Sequence, residues 1–338
     1  MKSVFAALII SVLLLLSACG AQPTILTSSG APQTAPGSEL LPDETPVAEL
    51  EETVTVYPVT VTDLAGYEST VASADRIISL TPSNTSILVA EGAQDRIIAV
   101  DDESAAAAPD AQVVGDYTGP DVEQIVALEP DVIFAGSRIQ QETVDQLRSM
   151  GLPVIVSEAT DWNQVGQSFE LIGRAVNEND AAAQLTQQLQ ATVAEVESLA
   201  PAEQLTCYYV LSFGEQGNWT SGEGSFINEM IQFAGGVPIT QGSPAAWLDY
   251  PLEDLVAADP DCILLGSDAG SYEQLSKEPG YADLAAVRNG LVFSINSAAV
   301  SQPGPNLNET LLSVSGILNA AAAGPVPTPE WYGPEASE

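Results

Sequence analysis

Polar and aromatic side chains gather where short apolar runs end. In the first half of the chain they are Thr81-Pro82-Ser83-Asn84, Asp116-Tyr117-Thr118 and Gly136-Ser137-Arg138. In the second half they are Asn218-Trp219-Thr220-Ser221, Trp247-Leu248-Asp249-Tyr250, Ser267-Asp268 and Ser297 to Gln302. This set suits capture better than catalysis. The chain has no His, which removes the usual general base at neutral pH, any His-based triad and the commonest zinc ligand. No P-loop, dinucleotide fingerprint or metal-ligand cluster is present. What remains is a group of hydroxyls and amides, one cation (Arg138) and four aromatics. An aromatic just past a strand suits stacking on a flat, hydrophobic ligand. Tyr117, Trp219, Trp247 and Tyr250 each serve equally well as packing residues, and Ser83 and Asn84 equally well as helix caps. The expected ligand-binding set is Ser83, Asn84, Tyr117, Thr118, Ser137, Arg138, Trp219, Ser221, Trp247, Tyr250, Ser267 and Gln302, with no metal and no intrinsic cofactor.

The elements that must position these residues alternate in a regular way. A hairpin is expected from the Val/Thr run ending at Val61, the turn Asp63–Gly66 and the return Glu68–Val71. Strand-like runs RIISL (76–80), RIIAV (96–100), VVG (113–115), VIFAG (132–136) and PVIVS (153–157) then alternate with helical stretches 82–91, 121–128 and 140–150. Residues 163–176 read as a helix. After Asn177-Glu178-Asn179, Asp180 is placed to cap AAAQLTQQLQATVAEVESLA, which lacks Gly and Pro and spans about 30 Å as a helix. Alternation resumes with TCYYVLSF, helix 223–234, VPI, helix 251–258, CILLG, helix 271–276, LVFSI (291–295) and helix 306–322. Strands alternating with helices imply parallel βαβ units.

One sentence is written twice. Residues 122–137, VEQIVALEPDVIFAGS, align without a gap to 252–267, LEDLVAADPDCILLGS, and half of the positions are identical. Each copy reads as helix, Pro-Asp turn and buried strand ending in Gly-Ser. The repeat therefore predicts an α/β fold class: two Rossmann-like lobes with parallel sheets, joined by a single long backbone helix. Ligands of open α/β sheets sit at the carboxyl ends of the strands, so two such lobes would trap a ligand between them.

Composition sets the surroundings. Eight Lys and Arg stand against 46 Asp and Glu, a balance that repels nucleic acid and anionic headgroups. The first 18 residues read as a signal peptide: Lys2, an apolar run from Val4 to Leu16 too short for a mature membrane helix, then Leu16-Ser17-Ala18-Cys19. Small residues before Cys19 form a bacterial lipobox, with Cys19 the lipidated first residue and the membrane reached by lipid alone. Residues 19–52, rich in Pro, Thr, Ser and Ala, read as a disordered tether. The expected organisation is then 53–160 (first lobe), 161–200 (helical linker), 201–323 (second lobe) and 324–338 (Pro-rich tail). Cys207 and Cys262 sit near the starts of predicted strands, and both a disulfide and two buried free thiols remain open.

Six stretches, in this order and spacing, resemble a known family: RIISLTPSNTSILVAEGAQDRIIAV, VVGDYTGPDVEQIVALEPDVIFAG, GEGSFINEMIQFAGGVP, PLEDLVAADPDCILL, PGYADLAAVRNGLVFSI and QPGPNL. They are similar to the class III substrate-binding proteins of ABC importers for cobalamin and iron siderophores, over about residues 54–320. The resemblance implies a non-enzymatic, monomeric, lipid-anchored extracytoplasmic receptor that delivers its ligand to a permease driven by an ATPase. It implies docking through an acid on each lobe. Glu123 matches the first position. Gln232 stands where relatives often carry the second acid, which leaves Glu229 or Glu253 as substitutes. Relatives also often have Arg where Gln302 stands. With Arg138 the one cation in these loops, a neutral aromatic pocket is expected, for a corrinoid or a neutral ferric chelate such as a hydroxamate. Haem or an anionic siderophore, and use of the same fold as a ligand sensor or adhesin, are the alternatives.

Overall fold

The computed structural model describes residues 54–136 and 138–324, with the side chain of Arg138 outside the description. Cys19, the signal peptide, the tether, Ser137 and the tail beyond Gly324 lie outside the described residues.

The described chain opens with the expected hairpin, β1 (Val59–Thr62) and β2 (Glu68–Val71), paired antiparallel. The first lobe follows: β3 (Ile77–Ser79), α1 (Pro82–Ala90), β4 (Ile97–Val100), β5 (Gln112–Val113), the short ribbon β6 (Gly115–Asp116) and β7 (Gly119–Pro120), α2 (Val122–Ala127), β8 (Val132–Ala135), α3 (Gln141–Ser149) and β9 (Val154–Val156). Its parallel sheet has the order β5-β4-β3-β8-β9. The strands β3, β8 and β9 are buried along their whole length, as a sheet covered on both faces requires.

The chain leaves this lobe through α4 (Trp162–Val176), capped by Asp161, whose side chain accepts from the Gln164 N–H. Asn177 turns the backbone at a φ of 61°. Next comes the long helix α5 (Asn179–Leu199), 21 residues, with Asp180 in its first turn and Glu178 at the cap position expected of Asp180. Arg96 pins this turn to the first lobe: its guanidinium donates to the Val176 carbonyl at 2.7 Å and meets Glu178 Oε1 at 2.6 Å. Beside it, Glu91 ends α1 almost fully buried, and neither carboxyl oxygen has a partner among the described residues. Burial pushes this carboxyl up to about 9; Glu178 adds to the shift and Arg96 opposes it.

The second lobe runs β10 (Thr206–Val210), β11 (Trp219–Ser221), α6 (Phe226–Phe233), β12 (Val237–Pro238), β13 (Trp247–Asp249), α7 (Leu252–Ala258), β14 (Cys262–Gly266), α8 (Tyr272–Leu275), α9 (Ala285–Arg288), β15 (Val292–Ile295), α10 (Ser297–Ser301) and α11 (Leu307–Ala322). Its sheet is also parallel, in the order β12-β10-β14-β15. One hydrophobic core runs from the β1–β2 hairpin through α4 and α5 to α11, taking side chains from both lobes. A smaller core covers the opposite face of each sheet.

Both copies of the repeat fold as predicted, α2 into β8 and α7 into β14. Cys207 and Cys262 are register partners on β10 and β14, both buried and both free. Of the two readings the sequence left open, this is the free-thiol one. A hydrogen bond to Cys207, and burial, raise the Cys262 thiol well above its ordinary range.

Candidate functional site

Each lobe gathers candidate site residues at the carboxyl ends of its strands. In the first lobe the chain turns from β3 into α1 at Thr81, the true cap, whose hydroxyl accepts from the Asn84 N–H at 3.2 Å. Ser83, the second residue of α1, donates from Oγ to Glu158 Oε1 at 3.1 Å. Glu158 follows β9, and its Oε2 accepts from the Tyr117 hydroxyl at 3.4 Å. Tyr117 and Thr118 form the tip of the β6–β7 ribbon, whose register pairs Asp116 with Gly119. Asp116 Oδ1 accepts from the Thr118 hydroxyl and from the N–H groups of Thr118 and Gly119. These bonds, the hydroxyl's first, hold the carboxyl below its usual range. Burial, and then the charge of Glu158, push the half-buried Tyr117 phenol up to about 12.

Gln140 completes this half. Its carboxamide is buried and makes three bonds of 2.7 Å each: Oε1 accepts from the Gly136 N–H, and Nε2 donates to the carbonyls of Leu80 and Tyr117. It thus ties the ends of β3 and β8 to the ribbon tip. Asn84 is fully buried and bound to its neighbours, donating to the Ala135 carbonyl and accepting from Ser157 Oγ. It is neither cap nor open ligand contact.

In the second lobe, β11 and β13 form a ribbon rooted at the end of β10, where the N–H of Leu211 donates to the Trp219 carbonyl at 2.9 Å. The register places Trp219 opposite Asp249 and Trp247 opposite Ser221, so both indoles lie on one face of the ribbon. They stay 43% and 36% exposed, unusual for Trp. The Trp247 ring meets the buried ring of Tyr209 edge-on, with centroids 6.3 Å apart. Ser267, Asp268 and Ser297 close the rim: the Ser297 N–H donates to Ser267 Oγ at 3.2 Å. Gln302 ends α10, half-buried.

Two expected contacts turn inward instead. Ser221 is buried and donates to Asn228 Oδ1 at 2.6 Å, and Tyr250 packs on Tyr208 with centroids 5.9 Å apart. The backbone of Arg138 lies in a short 3-10 turn before α3. The loop after α10 in the second lobe comes close to α1 of the first. A Cβ on Gly304, in the loop after α10, would lie 2.8 Å from Ser86 Oγ on α1. An apolar cavity of about 360 Å³ lies elsewhere, between α4 and α5, lined by residues that include Trp162, Gly166, Leu189 and Val193.

The acids expected to dock a permease separate clearly. Glu123 and Glu253 stand exposed in the first turns of α2 and α7, the matching helices of the repeat. Glu229 faces the other way. It is half-buried on α6, and its Oε2 accepts from the Trp162 N–H at 3.1 Å, stitching the second lobe to the start of α4. Burial raises its carboxyl above the usual range.

The sequence profile of the periplasmic binding protein family matches residues 77–299, well over half of the chain. This chain belongs to the periplasmic binding protein family. Its members are non-enzymatic solute-binding components of transporters, which work outside the cytoplasm with a permease and an ATPase. A Bacillus subtilis relative, an uncharacterized ABC transporter substrate-binding lipoprotein, is 26% identical over 75% of this chain and 83% of its own. A cobalamin-binding protein of Halobacterium salinarum is also 26% identical, over 87% of this chain and 83% of its own. A periplasmic heme-binding protein from Roseiflexus sp. RS-1, solved in its apo form, superposes with a TM-score of 0.66 at 21% identity. It covers 74% of this chain and 100% of its own. That likeness is one of fold. In this periplasmic binding protein, Gln140, Glu158 and the buried Tyr209 under Trp247 are candidate site residues that sequence reasoning missed. Glu158 follows a strand end, the rule that found the others. Gln140 carries no such signal, because its role depends on where three strands finish.

Proposed function

We propose that the protein is the lipid-anchored, monomeric solute receptor of an ABC importer, and that it captures a corrinoid or a neutral ferric chelate in the interlobe cleft. The observation that carries this reading is the β11–β13 ribbon, which holds two exposed indoles on one face and supports one of them from beneath by Tyr209. Paired aromatic faces suit a broad, hydrophobic, flat ligand. Cys19 supplies the anchor, and Glu123 and Glu253 supply the docking acids. The haem alternative draws support from the fold neighbour, but a haem receptor holds iron through an axial side chain. The chain has no His, and of the tyrosines near the strand ends Tyr117 has its hydroxyl hydrogen-bonded to Glu158, Tyr209 is buried and Tyr250 packs on Tyr208. Calorimetric titration of the mature protein with cyanocobalamin, a ferric hydroxamate and haemin tests the reading. Micromolar or better binding to one of the first two is expected. Heat from haemin alone would reverse the ligand assignment, and silence with all three would end the pocket reading, leaving the sensor or adhesin alternative. Trp219→Ala and Trp247→Ala should each weaken binding by about 1 kcal/mol or more.

A further inference from the structure

We propose that Gln140 and Glu158 act as a pair of positioning residues that hold Tyr117 as a ring-face contact for the ligand. This rests on the reading of the cleft as a solute site.

Tyr117 is gripped at both ends. Its carbonyl accepts from Gln140 Nε2 at 2.7 Å, and its hydroxyl donates to Glu158 Oε2 at 3.4 Å. Its neighbours at the ribbon tip are fixed by the three bonds to Asp116. Both amide hydrogens of Gln140 are committed, one to Tyr117 and one to Leu80 at the end of β3. A buried amide satisfied on both its donors holds its partners in one geometry, because releasing either strands a polar group away from water.

The last residue of the strand unit makes room for this grip. A Cβ at Gly136 would stand 2.6 Å from Glu158 Oε2 and 3.4 Å from Gln140 Oε1. Any larger residue there would displace the carboxylate that receives the phenol. The Gly at the end of the first repeat is therefore a requirement of the clamp as well as of the strand.

With its carbonyl and hydroxyl both engaged inside the protein, Tyr117 has one thing left to offer a ligand, its ring. Recognition through a ring face selects shape and apolar area and is indifferent to the charge of the ligand's periphery. Tyr117 then acts by the same contact mode as the indoles of Trp219 and Trp247 on the other lobe.

The test has a ligand-free arm and a binding arm. In the first, 3-fluorotyrosine is placed at position 117 alone and its fluorine resonance is recorded for the mature protein. A single sharp line is expected, moved or broadened in both Gln140→Ala and Glu158→Gln. A line that neither change disturbs overturns the positioning role, whatever the binding arm gives. In the second arm, affinity for cyanocobalamin and for a ferric hydroxamate is measured in Tyr117→Phe, Tyr117→Ala, Gln140→Ala and the Tyr117→Ala/Gln140→Ala double variant, with melting temperatures alongside. Gln140→Ala and Tyr117→Ala should each lose about tenfold, Tyr117→Phe no more than about twofold, and the double variant no more than Tyr117→Ala alone. A Gln140→Ala loss that persists in full on the Tyr117→Ala background makes Gln140 a general stabiliser and overturns the proposal. So does a Tyr117→Phe loss as large as that of Tyr117→Ala, which would make the hydroxyl a ligand contact. A wild-type protein that binds neither probe defeats the ligand reading, while the fluorine arm reports separately on the grip.

Discussion

The segments Val122–Gly136 and Leu252–Gly266 solve the same problem twice, and their differences begin where the strand stops. In both, the residue before the Pro takes a left-handed backbone, Glu129 at a φ of 46° and Asp259 at 40°. For residues with a Cβ this conformation costs about 1 kcal/mol. The Asp after the Pro then clamps the neighbouring strand. Asp131 accepts from the N–H groups of Asp75 and Arg76 at 2.9 Å, just ahead of β3, and Asp261 accepts from the N–H and hydroxyl of Thr206, which starts β10. At the far end the two glycines back onto unlike chemistry. Gly136 faces Glu158, Thr81 and Gln140, whereas Gly266 faces Ser297, Tyr209 and the Val210 carbonyl. The shared half is scaffold. The divergent half backs onto the hydrogen-bonded clamp around Tyr117 in one lobe and onto Tyr209 and Ser297 in the other.

The largest expected effect comes from an asymmetry beneath the first unit. The helix after β3 ends in Glu91, while the helix after β10 ends in Ala234, both buried. With its folded carboxyl near 9 against an ordinary 4.5, Glu91 binds a proton in the folded state that the unfolded chain has released. Its contribution to stability is fully present below about pH 4.5 and is lost progressively as pH rises toward 9, by up to about 1.4 kcal/mol per pH unit. Urea titrations should find Glu91→Gln more stable than wild type by at least about 2 kcal/mol at pH 8, with a flatter pH profile. A variant as pH-dependent as wild type would remove the asymmetry.

Next in size are the terminal glycines. Gly266→Ala meets a backbone carbonyl that cannot swing away and should cost about 2–3 kcal/mol of stability. Gly136→Ala meets side-chain atoms and should cost about 1 kcal/mol while disturbing ligand affinity more. Equal stability losses with equal affinities would erase the distinction drawn between the two strand ends. The clamping aspartates test the shared half. Asp131→Ala and Asp261→Ala should each cost about 1 kcal/mol, because the N–H groups they serve lie near the surface and regain water. Unequal losses would break the equivalence of the two turns. Smallest is the effect at the exposed acids. Glu123→Lys and Glu253→Lys should leave ligand affinity unchanged and weaken association with the permease by about 1 kcal/mol each, more at low salt.

Long periodic stretches were legible in the sequence because their signal is redundant. The apolar runs of β8 and β14, the Gly- and Pro-free course of α5 and the Asn177 break each carry many residues pointing one way. The ribbons β6–β7 and β11–β13 escaped because strands of two or three residues leave no period to detect. The site was legible as a set of strand ends, which brought in Tyr117, Trp219 and Trp247. Side-chain direction was not. Asn84, Ser221 and Glu229 turn into the protein because Ala135, Asn228 and Trp162 offer partners brought close only by folding.

The core that passes without interruption from the entrance hairpin through α4 and α5 to α11 takes apolar side chains from both lobes, which predicts that they unfold together. Neither can melt without exposing apolar surface that belongs to the other. Heat or denaturant should therefore register one transition, and a ligand that binds only the folded protein should raise its midpoint as the ligand concentration rises.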